Sequence, residues 1–171
     1  MPPAHRPIAP AAFAIHSVIH RLRPDVVAAA HAHSTYGRAF STLGKMLAPL
    51  TQDACAFYED HALYSEYGGP VFEQDESERL ARALGLNKAA ILRSHGLLTV
   101  GQSVEEAAWW FISMDDVCHV QLLADAAGKA RAIDHETALA TRAVNGTPFI
   151  GRLVFETLWE RLAYEEPDLL E

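Results

Sequence analysis

Basic residues are scarce in this chain, which argues against the classes of protein that depend on them. Its 171 residues include 14 Lys and Arg against 22 Asp and Glu, and the formal net charge is −8. Proteins that bind nucleic acid or anionic membranes concentrate Lys and Arg in patches. Here the basic residues are scattered, so we expect neither a nucleic-acid nor a membrane partner.

Cysteines and long apolar runs are also scarce. Cys55 and Cys118 lie far apart and form no CxxC pair, which predicts buried thiols in a reducing compartment. No run approaches the roughly 20 apolar residues of a membrane span. Residues 1–10 are proline-rich and lack the apolar core of a secretory signal. Together these absences predict a soluble cytoplasmic protein.

The composition is that of one globular domain. Half of the residues are hydrophobic and 21% are charged, which is enough to build a single core in a chain of this length. Apolar residues recur at helical spacing from Pro10 until Pro24 ends the pattern. Further helices are predicted after Ser34, from Asp75 to Gly85, from Ser103 to Gly128, over 134–144 and from Pro148 onward.

Extended runs alternate with these helices. We predict strands over 26–33 and 50–57, a short strand within 58–70, and a strand region over 88–101 that bends at His95-Gly96. Alternating strands and helices place the domain in the α/β class.

The strand over 26–33 carries two histidines one residue apart. Side chains alternate along a strand, so His31 and His33 share a face and stand roughly 7 Å apart at the backbone. A chain with 9 histidines is expected to contain, on average, about 0.5 such pairs by chance alone. The pair alone is therefore weak evidence of a site.

A third histidine strengthens this hypothesis. His95 lies at a bend, where Gly96 lets the backbone direct its side chain. Together with His31 and His33 it makes a set of three imidazoles that could hold a divalent metal and leave coordination positions open. Such a metal polarises a carbonyl and stabilises an enolate. His16 and His20, four residues apart on a helix, are either a second metal pair or an ordinary polar helix face.

Enolate chemistry also requires a residue that moves a proton. The residues alone leave Tyr36, Tyr58, Glu59 and His61 as candidates and do not choose among them. Each also has an ordinary structural explanation, such as a tyrosine at the rim of a core or an acid in a solvated turn.

Several motifs occur in an order that resembles the class II aldolase/adducin family. They are Arg23-Pro24-Asp25 after a helix, His31-Ala32-His33-Ser34 after a strand, the later run SHGLLTVG over 94–101, and VEEA over 104–107. The match runs from about residue 11 to residue 128. The resemblance implies that residues 1–171 form one domain, a three-layer α/β/α sandwich around a mostly antiparallel sheet. It also implies a homotetramer with its active sites between subunits.

The resemblance assigns roles to particular residues. It implies a divalent metal on His31, His33 and His95, most often zinc, with Fe(II) or Mn as alternatives. In the aldolases a neighbouring subunit supplies a catalytic tyrosine, and the register places Gln52 at that position, with Tyr58 six residues on. These two residues are therefore our catalytic candidates. The aldolases also use a glutamate where this chain has Ala12, and alanine can neither bind metal nor carry a proton.

A second departure concerns length. Family members normally begin earlier, with strands and turns that hold a substrate phosphate, so we expect a partial domain that lacks the N-terminal strands. The stretch over 51–61 resembles a different branch, which includes non-haem iron enzymes of prenylated aromatic acids.

These observations lead to three hypotheses. The first is a metal-dependent lyase that acts on a small hydroxy-carbonyl or oxo-acid substrate through an enolate. The second is an Fe(II) oxygenase and decarboxylase of aromatic oxo acids. The third is a non-catalytic, adducin-like oligomerisation module.

Overall fold

A computed structural model describes residues 10–69 and 74–170. The helices are α1 Pro10–Leu22, α2 Thr35–Ser41, α3 Gln52–Cys55, α4 Gln74–Leu84, α5 Val104–Ala127, α6 His135–Asn145 and α7 Pro148–Glu165, followed by a 3-10 turn at Pro167–Leu170. The strands are β1 Ala28–Ala32, β2 His61–Tyr64, β3 Ala89–Leu92 and β4 Gly96–Gly101.

The four strands form one mixed sheet in the order β1-β4-β3-β2. β4 pairs antiparallel with both β1 and β3, whereas β2 pairs parallel with β3. Two of the three pairings are therefore antiparallel, as the resemblance implied.

Helices cover both faces of the sheet because its central strands are apolar on both sides. Ala90 and Leu92 of β3 face a core built with α1 and α4. The alternate residues, Ala89 and Ile91, face a second core built with α2, α3 and α5. This confirms the α/β/α sandwich, with the sheet as its middle layer.

The prediction of a strand over 50–57 was wrong. This stretch contains the short helix α3, and the side chain of Thr51 caps it by accepting a hydrogen bond from the Ala54 N–H at 3.2 Å. Ala54, Cys55, Ala56 and Phe57 are all buried, so the apolar run lies in a core. A short apolar run is equally compatible with a buried strand or a buried helix, and here the capping residue decides.

The predicted helix starts agree with the structure except at α4. Ser103 caps α5 and Asp134 caps α6, each by accepting a backbone N–H three residues on. Asp75, however, lies inside α4, because that helix already begins at Gln74. The residues immediately before it are outside the described ranges.

No helix within residues 10–69 and 74–170 is both long and apolar enough to cross a membrane.

Candidate metal centre

The three predicted histidines meet at one end of the sheet. His31 is in β1 and His33 follows its last residue, while His95 is the last residue of the loop that joins β3 to β4. β1 and β4 are hydrogen-bonded neighbours, with Ala32 opposite Leu97. The start of β4 therefore lies beside the end of β1, and the pairing brings His95 next to the other two.

The loop that carries His95 is a tight turn between two antiparallel strands. Leu92 pairs with Gly96 across it, and the His95 N–H donates to the Leu92 carbonyl at 2.9 Å. Ser94 adopts a left-handed conformation with φ 58°. A Cβ at Gly96 would stand 2.9 Å from the Ala32 carbonyl oxygen, so glycine is needed where β4 meets β1.

The three rings are close and mutually edge-on. Their centroids are 4.8 to 5.4 Å apart, with interplanar angles of 72 to 77°. One nitrogen from each of His31, His33 and His95 lies within 4.8 Å of the others. The rings need to close by about an ångström to place all three nitrogens about 2.0–2.1 Å from a single ion, which small side-chain rotations can provide. The donor set thus fits a divalent metal.

Burial favours the neutral form of two of the three rings, His31 and His95. Burial lowers the pKa of His31, although its hydrogen bond to the Leu97 carbonyl acts in the opposite direction. Burial, together with His31 and His33, lowers the pKa of His95 from 6.5 to about 4. Both rings are therefore neutral at pH 7, the form that binds metal.

A backbone carbonyl orients His31. Its Nδ1 lies 2.7 Å from the Leu97 oxygen, so Nδ1 carries the proton and Nε2 is left for a ligand. Sequence reasoning did not find this contact. Nothing in the sequence marks one leucine carbonyl as a histidine partner, because only the pairing of β1 with β4 brings the two together.

Ser34 occupies the predicted N-cap of α2 but makes no capping hydrogen bond. The carboxylate of Asp115 in α5 caps the helix instead, by accepting a hydrogen bond from the Gly37 N–H at 2.6 Å. A Cβ at Gly37 would lie 2.5 Å from the Leu97 side chain, so α2 packs directly against the residue whose carbonyl orients His31.

His61 is structural. Its Nδ1 lies 2.6 Å from the Phe57 carbonyl, and its Nε2 accepts the Leu47 N–H at 3.0 Å. The ring is 6% exposed, and burial lowers its pKa. Both nitrogens are engaged, so His61 is not available as a proton carrier.

Tyr36 and Glu59 also have partners other than the three histidines. The Tyr36 ring stacks on His119 of α5, with centroids 3.7 Å apart. Glu59, in a left-handed conformation with φ 52°, lies 3.7 Å from the His135 ring nitrogen.

Tyr58 and Gln52 lie far from the histidines of their own chain. Tyr58 precedes β2, whose first residue pairs with the first residue of β3, whereas His95 follows the far end of β3. Three strand spacings also separate β2 from β1, so Tyr58 stands on the order of 15 Å or more from His31. Its hydroxyl contacts His135 of α6 at 3.1 Å. Gln52 begins α3, which packs against α6 on the same side of the molecule.

The histidines of β1 stand on the face of the sheet that carries the core shared by α1 and α4. Ala29 packs against the core that contains Ile15, Val18 and Ile19 of α1. His31 and His33 are on the same side of the strand as Ala29, because side chains alternate. His16 and His20 lie along this helix, and His20 Nδ1 is 3.2 Å from the Val26 carbonyl, just before β1.

Comparison with known proteins agrees with this architecture. The family model described as the Class II Aldolase and Adducin N-terminal domain matches residues 3–122. Decarboxylase NovR of Streptomyces niveus is 48% identical over 93% of this chain. The 4-hydroxy-3-prenylphenylpyruvate oxygenase/4-hydroxy-3-prenylbenzoate synthase of Streptomyces roseochromogenus subsp. oscitans is 49% identical over the same share. The chain spans 59% and 57% of these two relatives.

Solved structures give the same result. L-fuculose 1-phosphate aldolase from Glaciozyma antarctica PI12 superposes with a TM-score of 0.86 and is 44% identical, covering 94% of this chain and 61% of that one. An aldolase II superfamily protein from Pseudomonas syringae gives a TM-score of 0.84 and 32% identity, covering 95% of this chain and 66% of that one. The chain therefore belongs to the class II aldolase and adducin family.

Proposed function

We propose that this chain is the metal-binding part of a lyase-type enzyme that breaks a carbon–carbon bond next to a carbonyl in a small hydroxy-carbonyl or oxo acid. One observation carries the proposal: His31, His33 and His95 converge from two neighbouring strands, and the Leu97 carbonyl fixes the tautomer of His31.

The donor chemistry supports a divalent cation. Three imidazoles suit zinc, and they also suit Fe(II) or Mn. Such an ion would supply Lewis-acid polarisation of a carbonyl or hydroxyl oxygen. The residues of the chain hold the rings in place: Gly96 permits the close approach of β4 to β1, and Leu97 orients His31.

Metal analysis of the purified protein tests this proposal. We expect about one zinc per chain in the wild type, and a loss of affinity of at least about tenfold in His33→Ala, because one ligand is removed. His135→Ala is the matched control, because His135 is exposed and lies beside Tyr58, away from the three histidines. A wild-type protein that retains no stoichiometric zinc, iron or manganese would contradict the proposal.

A second candidate function keeps the same ligands and changes the chemistry. The two relatives at 48% and 49% identity are named as a decarboxylase and as an oxygenase. Their names favour oxidative decarboxylation of an aromatic 2-oxo acid, with Fe(II) on the three histidines. Oxygen uptake that requires both Fe(II) and the oxo acid would select this alternative, whereas equal turnover without oxygen would select the lyase.

A third candidate is a non-catalytic module. Alpha-adducin of Rattus norvegicus is 36% identical over 69% of this chain, which makes up 16% of that protein. Retention of three convergent histidines favours the enzymes, because an oligomerisation module has no need of a metal-ligand set.

We also propose that the active protein is a cytoplasmic homo-oligomer, a tetramer by resemblance. Tyr58 and Gln52 lie on the far side of their own chain, so they can act only at the histidines of a neighbouring subunit. Exposed apolar side chains on α7 support such contacts, including Phe149, Leu153 and Trp159.

A further inference from the structure

A cleft between helices lies apart from the three histidines. Its volume is about 200 Å³, and residues of α3, α5 and α7 line it together with Asn145, the last residue of α6. The lining residues that the structure describes include none of His31, His33 and His95. The metal centre proposed above therefore makes no use of this cleft.

The cleft has a buried floor and an open mouth. Ala56 and Trp110 are buried, and so is Ser113, one turn further along α5, with 8% of its surface exposed. Gln52 and Asp53, the first two residues of α3, are exposed and so lie at the mouth. A cavity of about 150 Å³ holds benzene, so a cleft of about 200 Å³ has room for a ligand of about six to eight non-hydrogen atoms.

The polar side chains of the cleft have no partners of their own. Within residues 10–69 and 74–170, the side chains of Gln52, Asp53, Ser113 and Asn145 make no hydrogen bond or ion pair. The Ser113 hydroxyl is the most informative of these groups, because nearly all buried polar groups in proteins are hydrogen-bonded. In the described part of the chain, only an occupant of the cleft can satisfy it.

The charge and the hydrogen-bonding groups of the lining favour a cation. Among the described lining residues there is one carboxylate, that of Asp53, and no lysine, arginine or histidine. The amide oxygens of Gln52 and Asn145 and the hydroxyl oxygen of Ser113 can all accept hydrogen bonds. An anion would meet no opposite charge here, whereas an ammonium or guanidinium group would meet a carboxylate and several acceptors.

Two indoles add to this attraction. Trp109 and Trp110 both line the cleft, and a cation within about 6 Å of an indole centroid is attracted to the face of the ring. Trp110 already makes such a contact, because the Nζ of Lys88 lies 4.2 Å from its ring centroid. Lys88 does not line the cleft and pairs with Asp60 at 3.2 Å, so its charge is balanced.

We propose that this cleft binds a small organic cation, an ammonium or guanidinium group on a short alkyl chain. Ser113 and Asn145 accept hydrogen bonds from the cationic head, and Asp53 supplies the opposite charge. Ile150 and Val154 form the apolar wall that contacts the alkyl chain. This site goes beyond the proposed function and does not depend on it.

Titration of the full chain at pH 7 with n-butylammonium, butanol and butyrate tests the proposal. Binding is followed by NMR at the indole N–H signals, of which the chain has 3, and Trp109→Phe identifies the signal of Trp109. We expect a saturable shift of that signal with n-butylammonium, and binding at least about tenfold tighter than that of butanol or butyrate. Absence of a saturable shift, or equal binding of butanol or butyrate, overturns the proposal.

Two substitutions locate the site. Ser113→Ala should weaken n-butylammonium binding by about tenfold, because a hydrogen bond to a charged donor is lost. Asp53→Asn should weaken it by about threefold, because that charge is exposed. Asp116→Asn is the matched control, since it removes an exposed carboxylate from α5 outside the lining and should leave the affinity unchanged. Thermal unfolding shows that each variant is folded, and unchanged affinity in both Ser113→Ala and Asp53→Asn overturns the proposal.

Sedimentation velocity with and without saturating n-butylammonium distinguishes two sources of the cation. Dissociation of an oligomer would identify the natural occupant as a lysine or arginine side chain of a neighbouring copy. Unchanged sedimentation would identify a free amine or guanidine, and both results agree with a cation site. Zinc content enters neither measurement, so failure of this inference leaves the proposed function standing, and failure of that function leaves this inference standing.

Discussion

At the scale of single residues, the backbone contacts of each imidazole indicate its role. His61 has both nitrogens engaged by backbone groups and is 6% exposed, as a structural histidine should be. His31 has one nitrogen engaged, which leaves the other for a ligand. The sequence named His31 as a ligand and His61 as a candidate proton carrier. It could not show that His61 is engaged at both nitrogens, because the partners are backbone groups that no side-chain pattern reveals.

The low pKa of His95 predicts how stability depends on pH. Between pH 6.5 and about 4 the unfolded chain binds a proton at this residue and the folded, metal-free chain does not. The free energy of unfolding should therefore fall as the pH falls through this window, and the contribution of His95 to that fall should end below about 4.

Urea denaturation of chelator-treated protein at pH 7 and pH 5 measures this effect. His95→Gln should lose less stability between the two pH values than the wild type does, because it lacks the group that becomes protonated. An equal loss in both proteins would show that His95 does not titrate below its ordinary range.

At the scale of elements, α2 is packed so closely on β4 that one methyl group matters. A Cβ at Gly37 would stand 2.5 Å from Leu97, which is fully buried and whose carbonyl orients His31. Helix propensity favours alanine over glycine by about 1 kcal/mol, whereas overpacking a core costs typically about 1–3 kcal/mol. The steric effect should prevail.

Gly37→Ala should therefore lower the free energy of unfolding by up to about 2 kcal/mol in urea, although it adds a better helix former. Gly68→Ala is the control, because the nearest atom to a Cβ there is a Glu76 carboxylate oxygen at 3.5 Å, an ordinary contact. That variant should stay within about 0.5 kcal/mol of the wild type. A stabilised Gly37→Ala protein would contradict the close packing of α2 on β4.

At the scale of the whole molecule, the metal centre joins segments that are distant in sequence. His31 and His33 belong to the start of the chain and His95 to its middle, and they meet only in the folded sheet. An ion bound there stabilises the folded state alone, because the unfolded chain has no preformed site.

Zinc should thus raise the melting temperature. At about 100 times the dissociation constant, binding contributes about 2.7 kcal/mol, or about 5–10 °C in a domain of this size. Scanning calorimetry with zinc and with chelator measures the difference, and His33→Ala should show little of it. Equal zinc stabilisation of both proteins would place the ion elsewhere.

The sequence by itself determined the family, most of the helices and the identity of the three convergent histidines. These features depend on local signals: motif order, the capping residues Ser103 and Asp134, and the alternation that puts His31 and His33 on one face. Such signals act over a few residues, so they can be read along the chain.

Only the tertiary structure decided which partners the candidate residues have and where they lie in the fold. It made 52–55 a helix rather than a strand, engaged both nitrogens of His61 and put Tyr58 on the far side of the sheet. Each outcome depends on packing or on pairing between segments that are distant in sequence, such as Leu97 with His31. Local patterns do not specify these pairings, because they follow from the burial of both faces of the sheet.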